Sequence, residues 1–247
     1  MPGSVPTRPS LYYRKTKSYL DRGLKFDEMI LFSDISDVWD ESRGYFCVDD
    51  DPRYFAYCDP AELKILEQRG STRNFLKRNF VVTDKLIPIV KEEIRYLRGK
   101  PSKLPSKEQR RVNMLYKHPV GGWTIPNVID VGDWYAPLGI EGGIARSEQN
   151  MKKLADLLAS KGIPLSIVVY PWPPQLANND GESRQVKIWQ EFCERQKCKR
   201  FINLLPAFFA EKDAHSDWYE RLFIEGDIHF SAEGDKIVFR EVSKHLF

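Results

Sequence analysis

The chain has 247 residues, 30% of them charged, and a net charge of +3 at pH 7. A balance so close to neutral leaves no electrostatic footprint for nucleic acid, and no apolar run approaches the ~20 residues that cross a bilayer. The first 25 residues lack the basic-then-apolar pattern of an export signal, which leaves the compartment open.

Residues 1–8 are rich in Pro, Ser and Thr and read as irregular. Pro9 or Ser10 starts a helix from Leu11 to Asp21, with Gly23 as its stop. Met29-Ile30-Leu31-Phe32 is a short apolar run, the pattern of a fully buried strand. It runs into Ser33-Asp34-Ile35-Ser36-Asp37. A helix, a turn and a buried strand ending in polar residues is the rhythm of a parallel α/β sheet, where ligands sit at the carboxyl ends of strands. Asp34, Ser36 and Asp37 are therefore candidate site residues; capping of the next segment is the competing reading.

Residues 38–73 read as an insertion or lid, and the insertion as a whole spans about 38–120. Its acidic run Asp49-Asp50-Asp51 lacks the spaced oxygen ligands of a calcium loop. Residues 74–98 read as helical with a kink or break at Pro88, and residues 99–118 as a flexible, solvated basic excursion. Gly121 to Gly143 is a glycine- and aromatic-rich loop whose glycines lack phosphate-cradle spacing. Residues 144–161 form an amphipathic helix with Met151, Leu154, Leu157 and Leu158 on one face. Pro164 to Tyr170 is the strongest strand, stopped by Pro171-Trp172-Pro173-Pro174. A helix over 182–197, a strand over 200–204 and a short helix from Pro206 to about Lys212 follow.

Gly226-Asp227-Ile228-His229-Phe230-Ser231 then places a carboxylate two residues before an imidazole, with Ser231 capping a last helix, Asp235 to Leu246. If 226–230 is extended, Asp227 and His229 face the same side. An acid beside an imidazole fixes its tautomer and steadies the imidazolium formed when it takes a proton. His118, His215 and His245 lie in polar contexts and read as surface residues. The four cysteines, Cys47, Cys58, Cys193 and Cys198, contain no Cys-x-x-Cys pair, and no metal or cofactor site is expected. Free thiols are the preferred reading; a Cys47–Cys58 bridge is the alternative.

Asp227-x-His229 with Ser231-Ala232-Glu233-Gly234 before a terminal helix resembles the last block of the SGNH/GDSL hydrolases. Phe26 to Glu41, Tyr135 to Arg146 and Ile167 to Pro173 are similar to a bacterial subfamily. The resemblance covers most of the chain outside 42–120. It implies one α/β domain over 1–247, a three-layer α/β/α fold with a mostly parallel, flavodoxin-like sheet. It also implies an ester hydrolase or O-acyltransferase acting on a small ester or acetylated carbohydrate. His229 would be the base, Asp227 its orienting acid, Ser36 an oxyanion donor, and Asp34, Asp37, Tyr170 and Trp172 the substrate wall.

The family's Gly-Asp-Ser nucleophile block is missing. Its asparagine falls at Ser36, and its second-block glycine near Ser4. By that alignment the chain starts after the family's first strand and nucleophile. It is then expected to be inert or weakly active alone, with the strand at 29–32 as an open edge suited to self-association. Ser33 is a poor substitute nucleophile, because no glycine-flanked elbow surrounds it. The alternative function is a non-catalytic module that binds carbohydrate or protein.

Overall fold

The computed structural model describes residues 8–42 and 106–246. The chain divides into two compact units, Met1–Val5 with Tyr45–Arg110, and Pro6–Gly44 with Arg111–Phe247; the described residues lie almost wholly in the second. The Cys47–Cys58 pairing, the acidic run at 49–51, the helix at 74–98, Ser4 and most of the 38–120 insertion fall outside the described residues.

Among the described residues the second unit is mixed α/β, built on a three-stranded parallel sheet of β1 (Met29–Ser33), β2 (Leu165–Val169) and β3 (Arg200–Asn203) in that order. Register pairs Leu31 with Ile167 and Ile167 with Phe201. Every residue of β2 is buried, because helices cover both faces and the period-two alternation has two apolar destinations. Leu165, Ile167 and Val169 join Leu31 in one cluster with α4 (Gly139–Ser160) and α6 (Arg184–Gln196). Val168 points the other way, toward Leu204 and toward Phe208, Tyr219 and Ile237 of the C-terminal helices. Those helices are α7 (Leu205–Ala214), α8 (Trp218–Leu222) and α9 (Ala232–Leu246), and a short α5 (Pro173–Ala177) follows β2.

At the amino ends of the strands Glu28 acts as a clip. Its carboxylate accepts from Ser166 Oγ on β2 at 2.6 Å and from Lys199 and Arg200 at the start of β3. The Lys199 ammonium first, then Ser166 and Arg200, hold its pKa down to about 2.

Helix α1 (Pro9–Asp21) starts at Pro9, as its fixed φ favours. Its first free N–H, on Ser10, is satisfied from another helix: Glu41 Oε1 accepts it at 2.8 Å. Glu41 belongs to α2 (Ser36–Ser42), a helix where an insertion was expected to begin. Helix α4 starts at Gly139, earlier than the expected 144, because glycine at 143 lets it close against α2. A Cβ there would lie 2.5 Å from the Val38 carbonyl oxygen.

Other sequence expectations need correction. Within the 99–118 stretch, α3 (Lys107–Tyr116) is helical; Leu115 packs into the second cluster and the basic residues face outward. The stretch from Gly121 to Gly143 is not a plain loop. It forms two 3₁₀ turns, Pro119–Thr124 and Gly132–Tyr135, around a third core cluster. Trp123 is fully buried there and donates Nε1–H to the Ile35 carbonyl at 2.9 Å, and Tyr135 donates to the Val120 carbonyl at 2.6 Å. The free-thiol reading fails for Cys193 and Cys198, which form a disulfide. Lys197, left-handed at φ 55°, reverses the chain after α6 and brings the two Cα atoms to 4.8 Å. Among the described residues no helix is long and apolar enough to cross a membrane.

Candidate functional site

The segment between α8 and α9 is a small loop closed by an antiparallel bridge between Phe223 and Phe230. Ile224 N–H donates to the His229 carbonyl at 2.9 Å, and Ser231 N–H to the Leu222 carbonyl at 2.9 Å. Phe230 anchors the loop, with its ring centroid 4.9 Å from Phe208 and 5.5 Å from Tyr170. Ser231 caps α9, its Oγ accepting from the N–H groups of Glu233 and Gly234 at 3.2 Å each.

Gly234 has a spatial duty as well. A Cβ at 234 would lie 2.3 Å from the Leu222 carbonyl oxygen and 3.0 Å from Phe230 Cβ. Alanine at an ordinary helical glycine gains up to about 1 kcal/mol, but here the backbone clash dominates. Gly234→Ala is expected to lose about 1–3 kcal/mol, read in a thermal melt, and to shift the His229 resonances.

Within the loop, residues 226–230 are turned rather than extended. Asp227 folds over its own backbone, because Oδ1 accepts from Ile228 N–H at 2.6 Å and from His229 N–H at 3.3 Å. The same oxygen meets His229 Nδ1 at 2.7 Å. Partial burial pushes the Asp227 carboxyl up, but the imidazole and the two backbone N–H groups outweigh it and hold it below its ordinary value. The carboxylate only accepts, so Nδ1 carries a proton, and in the neutral ring Nε2 holds the lone pair. The His229 side chain is 73% exposed and that of Asp227 45%.

His229 lines a cleft of about 290 Å³ with Phe32, Asp34, Tyr170, Trp172, Ile228, Phe230, Asp235 and Val238. The cleft thus sits just beyond the carboxyl ends of β1 and β2, between the sheet and the start of α9. Asp34 is its most heavily engaged acid. Its Oδ2 accepts from the Tyr170 hydroxyl and from Trp172 Nε1 at 3.3 Å. Its Oδ1 accepts from both the N–H and the hydroxyl of Ser36, the former at 2.7 Å. Asp34 therefore caps α2 with one oxygen and faces the cleft with the other.

Ser36 spends both donors on Asp34, and neither is turned toward an oxyanion. Asp37 is fully buried and does not line the cleft; it accepts from Tyr12 at 3.0 Å and from Asp34 N–H at 3.0 Å. Burial, then the charge of Asp34, push its carboxyl well above the usual range. Ser33 is fully buried too and does not line the cleft.

The raised Asp37 pKa has a stability consequence. At acid pH the proton is bound in both folded and unfolded chains. As pH rises past the ordinary carboxylate range near ~4, the unfolded chain ionises first and the fold is penalised. Asp37→Asn is expected to abolish that fall. The check is the difference in melting temperature between the two proteins, which should grow in favour of the variant from acid to neutral pH.

His118 is not a simple surface residue. It stands just before the first 3₁₀ turn without a side-chain capping bond, and its ring is edge-on to Trp172 with centroids 5.4 Å apart. Burial lowers its pKa against the opposing pull of Asp227, so the ring is neutral. Its position could not be read from sequence, since the turn that delivers it is recognisable only through Trp123 and Tyr135. His215, by contrast, lies half-buried beside Glu211, and His245 is exposed. Among the described residues no group of three or more His, Cys, Asp or Glu side chains is placed to hold a metal ion. Comparison with known proteins found no matching family model, no matching curated protein and no matching solved structure.

Proposed function

We propose that this chain is an SGNH-like ester hydrolase or O-acyltransferase of three-layer α/β/α type, acting on a small ester or an acetylated carbohydrate in the cleft below His229. One observation carries the reading: a carboxylate-oriented imidazole, Nδ1 to Oδ1 at 2.7 Å, on the wall of a cleft at the carboxyl ends of parallel strands. That is where ligands bind in such sheets. His229 Nε2 is the base, Asp227 orients it, and Tyr170 and Trp172 form the wall against which the acyl group or sugar lies.

Among the described residues no serine lines the cleft. The base therefore acts on a nucleophile that the cleft does not itself contain, of which water is the simplest. Such a site should turn over activated esters slowly. The test is hydrolysis of p-nitrophenyl acetate by the full chain and by His229→Ala. Turnover untouched by the substitution would remove His229 from the mechanism.

The same lining favours a second reading, a module that binds carbohydrate without reacting. Aromatic side chains at Tyr170 and Trp172 beside the carboxylate of Asp235 suit a sugar ring and its hydroxyls. Saturable binding of an acetylated xylo-oligosaccharide with no release of acetate would select it.

A further inference from the structure

The side-chain donors that line the cleft all have partners. Tyr170 and Trp172 donate to Asp34, and His229 Nδ1 faces Asp227. Ser36, just behind Asp34, is spent in the same way. Asp34 already accepts two hydrogen bonds on each oxygen, so what the lining side chains offer a ligand is acceptors, His229 Nε2 and Asp235. An ester carbonyl, or a sugar oxygen that must be held as an acceptor, needs an N–H or O–H from elsewhere.

His118 is placed to give one. It does not line the cleft itself; its ring stands edge-on to Trp172, which does, and lies within electrostatic reach of Asp227. Its Nδ1 is buried with no hydrogen-bond partner. Nε2 is not among the buried atoms without a partner and the residue is only half-buried, so the ring edge that carries Nε2 is the accessible one. A neutral imidazole has a single N–H. A buried donor without an acceptor is rarer than a buried acceptor without a donor, so the proton rests on Nε2.

We propose that His118 contacts a ligand that extends out of this cleft past Trp172, donating its Nε2–H to a ligand oxygen across the edge of that ring. This deepens the esterase reading, since it supplies the oxyanion contact that Ser36 is unable to make. It would serve a bound acetyl carbonyl equally well without any reaction.

Two measurements on the full chain test it. Long-range ¹H–¹⁵N correlation of the imidazoles should show His118 protonated on Nε2 at neutral pH; a proton on Nδ1 would overturn the proposal. Titration with an acetylated xylo-oligosaccharide should shift the His118 Nε2 signal. His118→Leu should weaken that binding about tenfold, while His118→Gln, which restores an N–H near the Nε2 position, should stay within about threefold of the parent. Both variants must melt like the parent, since a packing role would weaken them alike. Equal weakening of the two, or binding indifferent to both, defeats the proposal. Binding that depends on His118 but is never followed by acetate release sinks the esterase reading and leaves this one standing. Turnover that depends on His229 and ignores His118 does the reverse. A parent chain that neither binds the probe nor turns over the aryl ester refutes both.

Discussion

Glu41→Ala is expected to destabilise the second unit by about 3–5 kcal/mol, the usual result of breaking a buried ion pair from one side. The Glu41 side chain is 2% exposed and that of its partner Arg146 18%, with Nε to Oε2 at 3.1 Å. Oε2 also accepts from Asn150 Nδ2 at 3.1 Å, and Oε1 takes the Ser10 N–H at 2.8 Å. One carboxylate thus joins α1, α2 and α4. Its removal takes a buried carboxylate away from the Arg146 guanidinium and leaves the Asn150 amide and a helix N-terminal N–H with little water to turn to. For a folding unit of this size the loss is a drop in Tm on the order of 10 °C. Screening at the surface does not rescue the pair, because neither partner is well exposed. A double-mutant cycle with Arg146→Ala apportions the effect. Strong coupling is expected, with Arg146→Ala costing much less once Glu41 is gone. A variant that melts within a degree of the parent would show the network to be dispensable.

That network explains what sequence could and could not reveal. Local pattern was enough for the helix and strand alternation from Pro9 to Phe32 and for most of it from Ile144 to Leu246, where the short helices Pro173–Ala177 and Trp218–Leu222 escaped it. There, amphipathic spacing, buried apolar runs and the Ser231 cap all agree with their neighbours. It was not enough where a residue's role is set by a partner far along the chain. Glu41 looked like one more acid in a polar insertion, yet it holds Ser10 and Asn150. Trp123 looked like loop, but its indole finds the Ile35 carbonyl and builds a core around it.

The candidate site divides in the same way. Asp34, Tyr170, Trp172 and His229 follow strands or precede a helix, positions that sequence marks, and they meet in one cleft. Ser36 and Asp37 follow the same strand, but the turn into α2 consumes Ser36's donors and buries Asp37 under Tyr12. Residue type and position could not separate those two from Asp34. Only the direction in which α2 leaves the strand does so.

If the esterase reading holds, His229→Ala should lower kcat/KM for p-nitrophenyl acetate by about 10²–10⁴, the range that a positioned base contributes. Asp227→Asn should cost less, on the order of 10–10². Asparagine can keep the backbone contacts of Oδ1 to Ile228 and His229 but loses the charge that steadies an imidazolium. How far it falls depends on exposure. The side chains are 73% and 45% exposed, so their mutual attraction is screened by water in the free protein. The full benefit of Asp227 then appears only when a ligand covers the cleft and lowers the local dielectric. Bulky acetylated sugars should therefore show a larger Asp227→Asn penalty than p-nitrophenyl acetate, and the ratio of the two penalties is the quantity to measure. Equal penalties would mean that the pair stays wet throughout. A His229→Ala variant as fast as the parent on both substrates would mean that the imidazole takes no proton at all.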